Sequence, residues 1–107
     1  MKSYLWLSFD LGFRGDYEGI YQFLDTHMAK ECGNNVAVFE YEWKKDLVAE
    51  LLKELAEYVT FDKRARLYLV SPGEKGRPEG RFIKGSRKRP LWTGYTASNS
   101  QEVDADA

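Results

Sequence analysis

The segment "GNNVAVFEYEW", residues 33 to 43, constrains the fold more than any other stretch of the chain. Gly33, Asn34 and Asn35 are residue types that accept positive φ, so they mark a tight turn. Behind them, Ala37, Phe39, Tyr41 and Trp43 alternate with Val36, Val38, Glu40 and Glu42, the period of a strand with one buried face. If residues 29–32 pair with this strand across the turn, the two form a β-hairpin. If the preceding helix runs on to Glu31, only one strand is left. The hairpin is the expected arrangement, because Met28 is the last residue with a clear place on the preceding apolar stripe.

The remaining elements group around this hairpin. Residues 3–9 form an apolar and aromatic run of strand length, bounded by Asp10 and Gly12. The run lacks clean alternation, which predicts a central strand buried on both faces. Asp16 is placed to cap a helix, and Glu18 suits the dipole of its first turn. Tyr17, Ile20, Tyr21, Leu24 and Met28 then share one helical face. Asp46 caps a second helix with the stripe Val48, Leu51, Leu52, Leu55 and Val59. "RARLYLVS" reads as a strand closed by Ser71-Pro72-Gly73, and "RFIKG" as a short fifth strand beyond a Gly-rich basic loop. This order predicts an α+β, ferredoxin-like βαββαβ antiparallel sheet with two helices on one face, plus a C-terminal strand-like extension. A small parallel α/β sheet is the alternative should the hairpin fail.

A chain of 107 residues with 43% hydrophobic and 31% charged content is expected to fold as one domain, here over residues 1–95. No run approaches the ~18 consecutive apolar residues of a membrane span. "MKSYLWLSFD" reads as a first strand, since its apolar run is short and no small-residue cleavage site follows. A single cysteine, Cys32, has no internal disulfide partner and suits a reducing cytoplasm. Residues 96–107 carry Glu102, Asp104 and Asp106 with few groups able to pack, so an acidic disordered tail is expected.

The net charge of −1 conceals an uneven distribution. Between residues 75 and 89, seven cations are opposed by Glu79 alone. Arg77, Arg81, Lys84, Arg87, Lys88 and Arg89, interleaved with Phe82, Trp92 and Tyr95, are residue types that neutralise phosphates and stack on bases. The plainer reading is a solvated loop with Trp92 packed at the core edge. Arg14 and Asp16 flank Gly15 in the turn after the first strand, where a local ion pair is the simplest arrangement. Glu40 is expected to be solvated beside Glu42. His27, the single histidine, has no visible partner for general-base work and suits the C-terminal end of the first helix. Cys32 has no second Cys or His at metal-ligand spacing.

Phe9-Asp10, then Ala37-Val38-Phe39-Glu40, then "LVAELLKELAEYV" and "RARLYLVS", resemble in order and spacing a known group. It comprises the small CRISPR-associated endonucleases of spacer acquisition and the related virulence-associated ribonuclease toxins. The resemblance covers residues 3–71. Ala37 stands where that group has Ser, the turn "LGFRGDYEG" is longer, and the extension from 75 to 95 is longer and more basic. The resemblance implies a homodimer in which Asp10 and its symmetry mate hold Mg²⁺ and act in metal-dependent nucleic-acid cleavage. Read from its own residues, Asp10 is as well explained by capping the turn that follows it. The expected function is therefore nucleic-acid binding by a cytoplasmic homodimer, with endoribonuclease- or endonuclease-like chemistry at Asp10 and phosphate contacts from Arg77, Arg81, Lys84, Arg87, Lys88 and Arg89, with stacking on Trp92. The alternative is a non-catalytic protein-interaction or regulatory module.

Overall fold

A computed structural model describes residues 1–96. Through residue 84 the elements follow in the order β1 (Lys2–Asp10), α1 (Tyr17–Thr26), β2 (Lys30–Glu31), β3 (Val36–Glu42), α2 (Leu47–Tyr58), β4 (Arg66–Pro72) and β5 (Pro78–Lys84). A short 3₁₀ turn at Glu74–Gly76 joins β4 to β5. All pairings are antiparallel, and the sheet order is β2-β3-β1-β4-β5. The architecture is α+β and compatible with a ferredoxin-like arrangement. It departs from a four-stranded βαββαβ sheet in strand count and order, through β5 added beyond β4. The hairpin forms as expected, with Lys30 opposite Val38 and Glu31 opposite Ala37. All of the expected acidic tail except Thr96 lies outside the described residues. Among those described, no helix is long and apolar enough to cross a membrane.

One apolar cluster lies between the helices and one face of the sheet. It joins Leu5, Leu7 and Phe9 of β1, Ala37, Phe39 and Tyr41 of β3, and Leu67 and Leu69 of β4 to Ile20, Phe23 and Leu24 of α1 and Leu51 and Leu55 of α2. Both helices begin as the sequence predicts: Asp16 accepts the Gly19 N–H at 2.9 Å and Asp46 the Ala49 N–H at 3.1 Å. Glu50 adds a second clamp, accepting the backbone N–H groups of Lys44, Lys45 and Asp46, each at 2.9 Å. Those three bonds hold its carboxyl down at about 2. The helices meet at Gly19, where a Cβ would stand 2.2 Å from the Tyr58 carbonyl oxygen.

Two expectations about these elements need correction. The α1 stripe is Ile20, Phe23 and Leu24, while Tyr21 and Met28 are exposed. The helix ends at Thr26, and Met28 turns out of it with φ of 53°. Nor is β1 buried on both faces. Its odd residues from Leu5 to Phe9 are buried, and Tyr4, Trp6, Ser8 and Asp10 lie on the open side. Aromatic residues on both sides of the strand mask its two-residue period.

Candidate functional site

Both α1 and α2 pack on the other face of the sheet, and the antiparallel register arranges the side chains of this face in rows. Trp6 of β1 lies between Val38 of β3 and Val70 of β4, with Gly80 of β5 beyond. The next row is Val36, Ser8, Tyr68 and Phe82, and after it Asp10 faces Arg66. Gly80 leaves room for Tyr68: a Cβ there would stand 2.3 Å from the tyrosine hydroxyl. Tyr4 and Trp6 are 59% and 43% exposed, large apolar areas for the middle of a central strand.

Arginines flank these rings. Tyr68 and Phe82 meet edge to face with centroids 4.9 Å apart. The Arg66 guanidinium lies 5.8 Å from the Phe82 centroid, and that of Arg87 lies 5.4 Å from Phe82 and 5.9 Å from Tyr68. Beyond β5 the chain turns at Gly85, where φ is 70°, and brings Arg87, Lys88, Arg89 and Trp92 beside Arg66 and Phe82 around a shallow depression. Trp92 is 76% exposed, so it is not packed on the core edge.

Asp10 sits at the end of this face. One oxygen accepts the Gly12 N–H at 3.1 Å, and the other lies 3.4 Å from the Arg66 guanidinium. Arg66 also donates to the Ser86 carbonyl at 3.4 Å, while its buried Nε has no hydrogen-bond partner among the described residues. The turn-capping reading of Asp10 is thus realised, with an arginine on its free side. A metal at Asp10 within one chain would need a second carboxylate, and Asp16 and Glu40 are both engaged elsewhere. Asp16 is engaged by the N–H groups of Gly19 and Thr60, and the Thr60 bond foremost holds its carboxyl below the ordinary range. Glu40 is opposite Tyr4, about 20 Å along the strand from Asp10 at ~3.3 Å per residue. It is paired with Lys2 at 3.7 Å. Among the described residues no group of three or more His, Cys, Asp or Glu is placed to hold a metal.

The basic stretch does not act as one patch, because the strand pleat divides it. Arg81 pairs in register with buried Leu69, on the opposite side from Phe82, and is bridged to Glu79 at 3.3 Å. Lys84 lies over the Phe61 ring at 4.9 Å. Arg77 stands at the β4–β5 connection. Arg87, Lys88, Arg89 and Trp92 gather with Arg66, Tyr68 and Phe82, and Arg66 and Tyr68 were not among the residues singled out from sequence. Their signal was present in β4, where Arg66, Tyr68 and Val70 alternate with Leu67 and Leu69.

His27 does have a partner. It ends α1 and its ring is hydrogen-bonded to Glu54, which also accepts the Tyr41 hydroxyl at 3.0 Å. Cys32 is exposed and free. Comparison of the chain with protein-family models, with curated proteins and with solved structures found no match.

Proposed function

We propose that the protein binds single-stranded nucleic acid on the open face of its sheet. Bases stack on Trp6, Tyr68 and Phe82, and phosphates are held by Arg66, Arg87, Lys88 and Arg89. The observation that carries this reading is the pair of rings, Tyr68 and Phe82, with Arg66 and Arg87 against them at 5.4 to 5.9 Å. Aromatic platforms bordered by cations bind single strands with little sequence preference, since every base offers a π-face. The net charge of −1 confines this attraction to one region of the surface. A cytoplasmic setting belongs to the same reading, in keeping with the exposed free thiol of Cys32. Cleavage is a separate matter. It would require Asp10 to exchange Arg66 for a metal shared with the Asp10 of a second copy.

The test is fluorescence anisotropy of labelled single-stranded RNA and DNA carrying hydroxyl ends. Binding at low salt that weakens steeply as salt rises is expected. No binding to either strand at low salt would sink the reading.

A second reading, a protein-interaction module that assembles as a homodimer, has one observation behind it. The outer edge of β5 is seven residues long and pairs with no other strand among the described residues. Light scattering decides it, by giving either the chain mass of 12.4 kDa or twice that value.

A further inference from the structure

A second cationic site lies around the end of the sheet from the open face. The β1–α1 turn and the α2–β4 turn face one another across a cleft of about 650 Å³ lined by Gly12, Phe13, Arg14, Asp62, Lys63 and Arg64. Each wall is fixed by its own short-range bonds. The Gly12 carbonyl accepts the Gly15 N–H at 3.2 Å, and Asp62 accepts the Arg64 N–H at 2.8 Å with its carboxylate and the Ala65 N–H at 3.2 Å with its carbonyl. Gly12 and Arg64 approach closely enough that a Cβ on the glycine would be 3.8 Å from that of the arginine. Beyond this contact a neighbouring depression shares Gly12, Lys63 and Arg64 and reaches Asp10, Arg66 and Lys88. The cleft is thus continuous with the end of the proposed strand path.

The cationic side chains that line this cleft are unpaired among the described residues. Among the described residues, Arg14, Lys63 and Arg64 make no ion pair, whereas Lys2, Arg66 and Arg81 do. The one carboxylate in the lining, Asp62, is turned to its own backbone. The same lining includes Phe13, which is 98% exposed. We propose that this cleft binds a terminal phosphate monoester of a nucleotide strand, with the phosphate on Arg14, Lys63 and Arg64 and the terminal base against Phe13. A monoester carries about −1.5 to −2 charges at pH 7, which suits three unpaired cations better than the single charge of an internal diester. Its biological setting rests on the open-face reading, but the cleft is tested separately.

The probes are nucleoside 5′- and 3′-monophosphates, followed by amide NMR shifts of the whole chain. Shifts centred on Gly12, Phe13, Arg14, Lys63 and Arg64 are expected, and the unphosphorylated nucleoside gives none there. The combined substitution of Lys63→Ala and Arg64→Ala weakens monophosphate binding by roughly tenfold or more. Its unchanged amide spectrum elsewhere shows that the fold is kept. Matched oligonucleotides with a 5′-phosphate, a 3′-phosphate or hydroxyl ends then identify the source, because only the recognised end gains affinity and the double variant loses that gain. Monophosphate shifts at Ser8, Tyr68 and Phe82 alone, or none anywhere, overturn the cleft. A hydroxyl-ended strand that fails to bind while monophosphates shift the cleft overturns the open-face reading and leaves the cleft standing.

Discussion

The His27 ring at the end of α1 is hydrogen-bonded to the Glu54 carboxylate of α2, tying the two helices together above β3. Phe23 and Phe39 pack against the imidazole at 4.5 and 5.9 Å, and Tyr41 donates its hydroxyl to the same carboxylate. Glu54→Ala strips the nearly buried Tyr41 hydroxyl of its acceptor and should cost about 1–3 kcal/mol in chemical denaturation. Tyr41→Phe removes the buried hydroxyl itself and leaves the Glu54 carboxylate, which is 29% exposed, to water and His27, so it should cost less.

The same tyrosine dictates behaviour at alkaline pH. Its pKa is raised well above 10.0, first by burial, then by the bond to Glu54 and the charges of Glu54, Glu50 and Glu57. The folded state therefore holds this proton more tightly than the unfolded chain does. Its stabilisation is complete below pH 10 and is lost as the pH rises past it toward the folded-state pKa. Thermal melts from pH 9 to 12 should show a decline that is shallower in Tyr41→Phe, at roughly the range where free tyrosine ionises.

Glu50 acts at the opposite end of the scale. Three backbone N–H bonds, that of Lys44 foremost, lower its carboxyl from 4.5 to about 2. Its contribution is present above pH 4.5 and is lost as the pH falls through about 2. Glu50→Gln should flatten the acid limb of the stability profile in that window. Equal acid midpoints and slopes in the two proteins would remove Glu50 from acid unfolding.

Gly19 is where the two helices come closest. Gly19→Ala places a methyl group 2.2 Å from the Tyr58 carbonyl oxygen, so one helix must move. A loss of about 1–3 kcal/mol is expected, despite the better helix propensity of alanine. Gly76→Ala, where nothing lies within 4 Å, is a steric control, though its φ of 74° adds backbone strain of its own.

How much of this was legible beforehand follows from the range of the forces involved. The helix caps at Asp16 and Asp46, the hairpin and the buried face of β3 are local features, and each formed as read. The open face was not legible, because Tyr4 and Trp6 are apolar enough to pass for core and only the uncovered side of the sheet exposes them. Arg66 meets Asp10 across 56 positions and Phe82 across a neighbouring strand, relationships that depend on register and not on composition. The basic stretch failed as a unit for the same reason. The pleat of β5 sends Arg81 to the side opposite Phe82, and only the turn at Gly85 returns Arg87 to the aromatic face.

That division gives a sharp binding prediction. Arg87→Ala combined with Lys88→Ala should lower the slope of log affinity against log salt by about 1.4, from ~0.7 for each of two single-strand phosphate contacts. Trp6→Ala should weaken binding by about 1–3 kcal/mol with the slope unchanged, since stacking carries no counterion release. Arg81→Ala, on the far side of β5, should alter neither. An Arg81 effect as large as that of Arg87 would place the strand somewhere other than the open face.

Asp10 separates binding from catalysis. As asparagine it still accepts the Gly12 N–H, so the turn is kept, but the negative charge 3.4 Å from the Arg66 guanidinium is gone. Arg66 then offers its whole charge to a phosphate. Asp10→Asn should therefore bind a single strand up to about fivefold more tightly, the scale of one partly exposed ion pair. A metal site shared between two copies requires the reverse, because each ligand lost weakens Mg²⁺ and any cleavage that depends on it. Measuring both affinity and Mg²⁺-dependent cleavage of RNA and DNA in the two proteins decides the role. Tighter binding with unchanged cleavage makes Asp10 the anchor of Arg66, and Mg²⁺-dependent cleavage abolished by the substitution makes it a ligand.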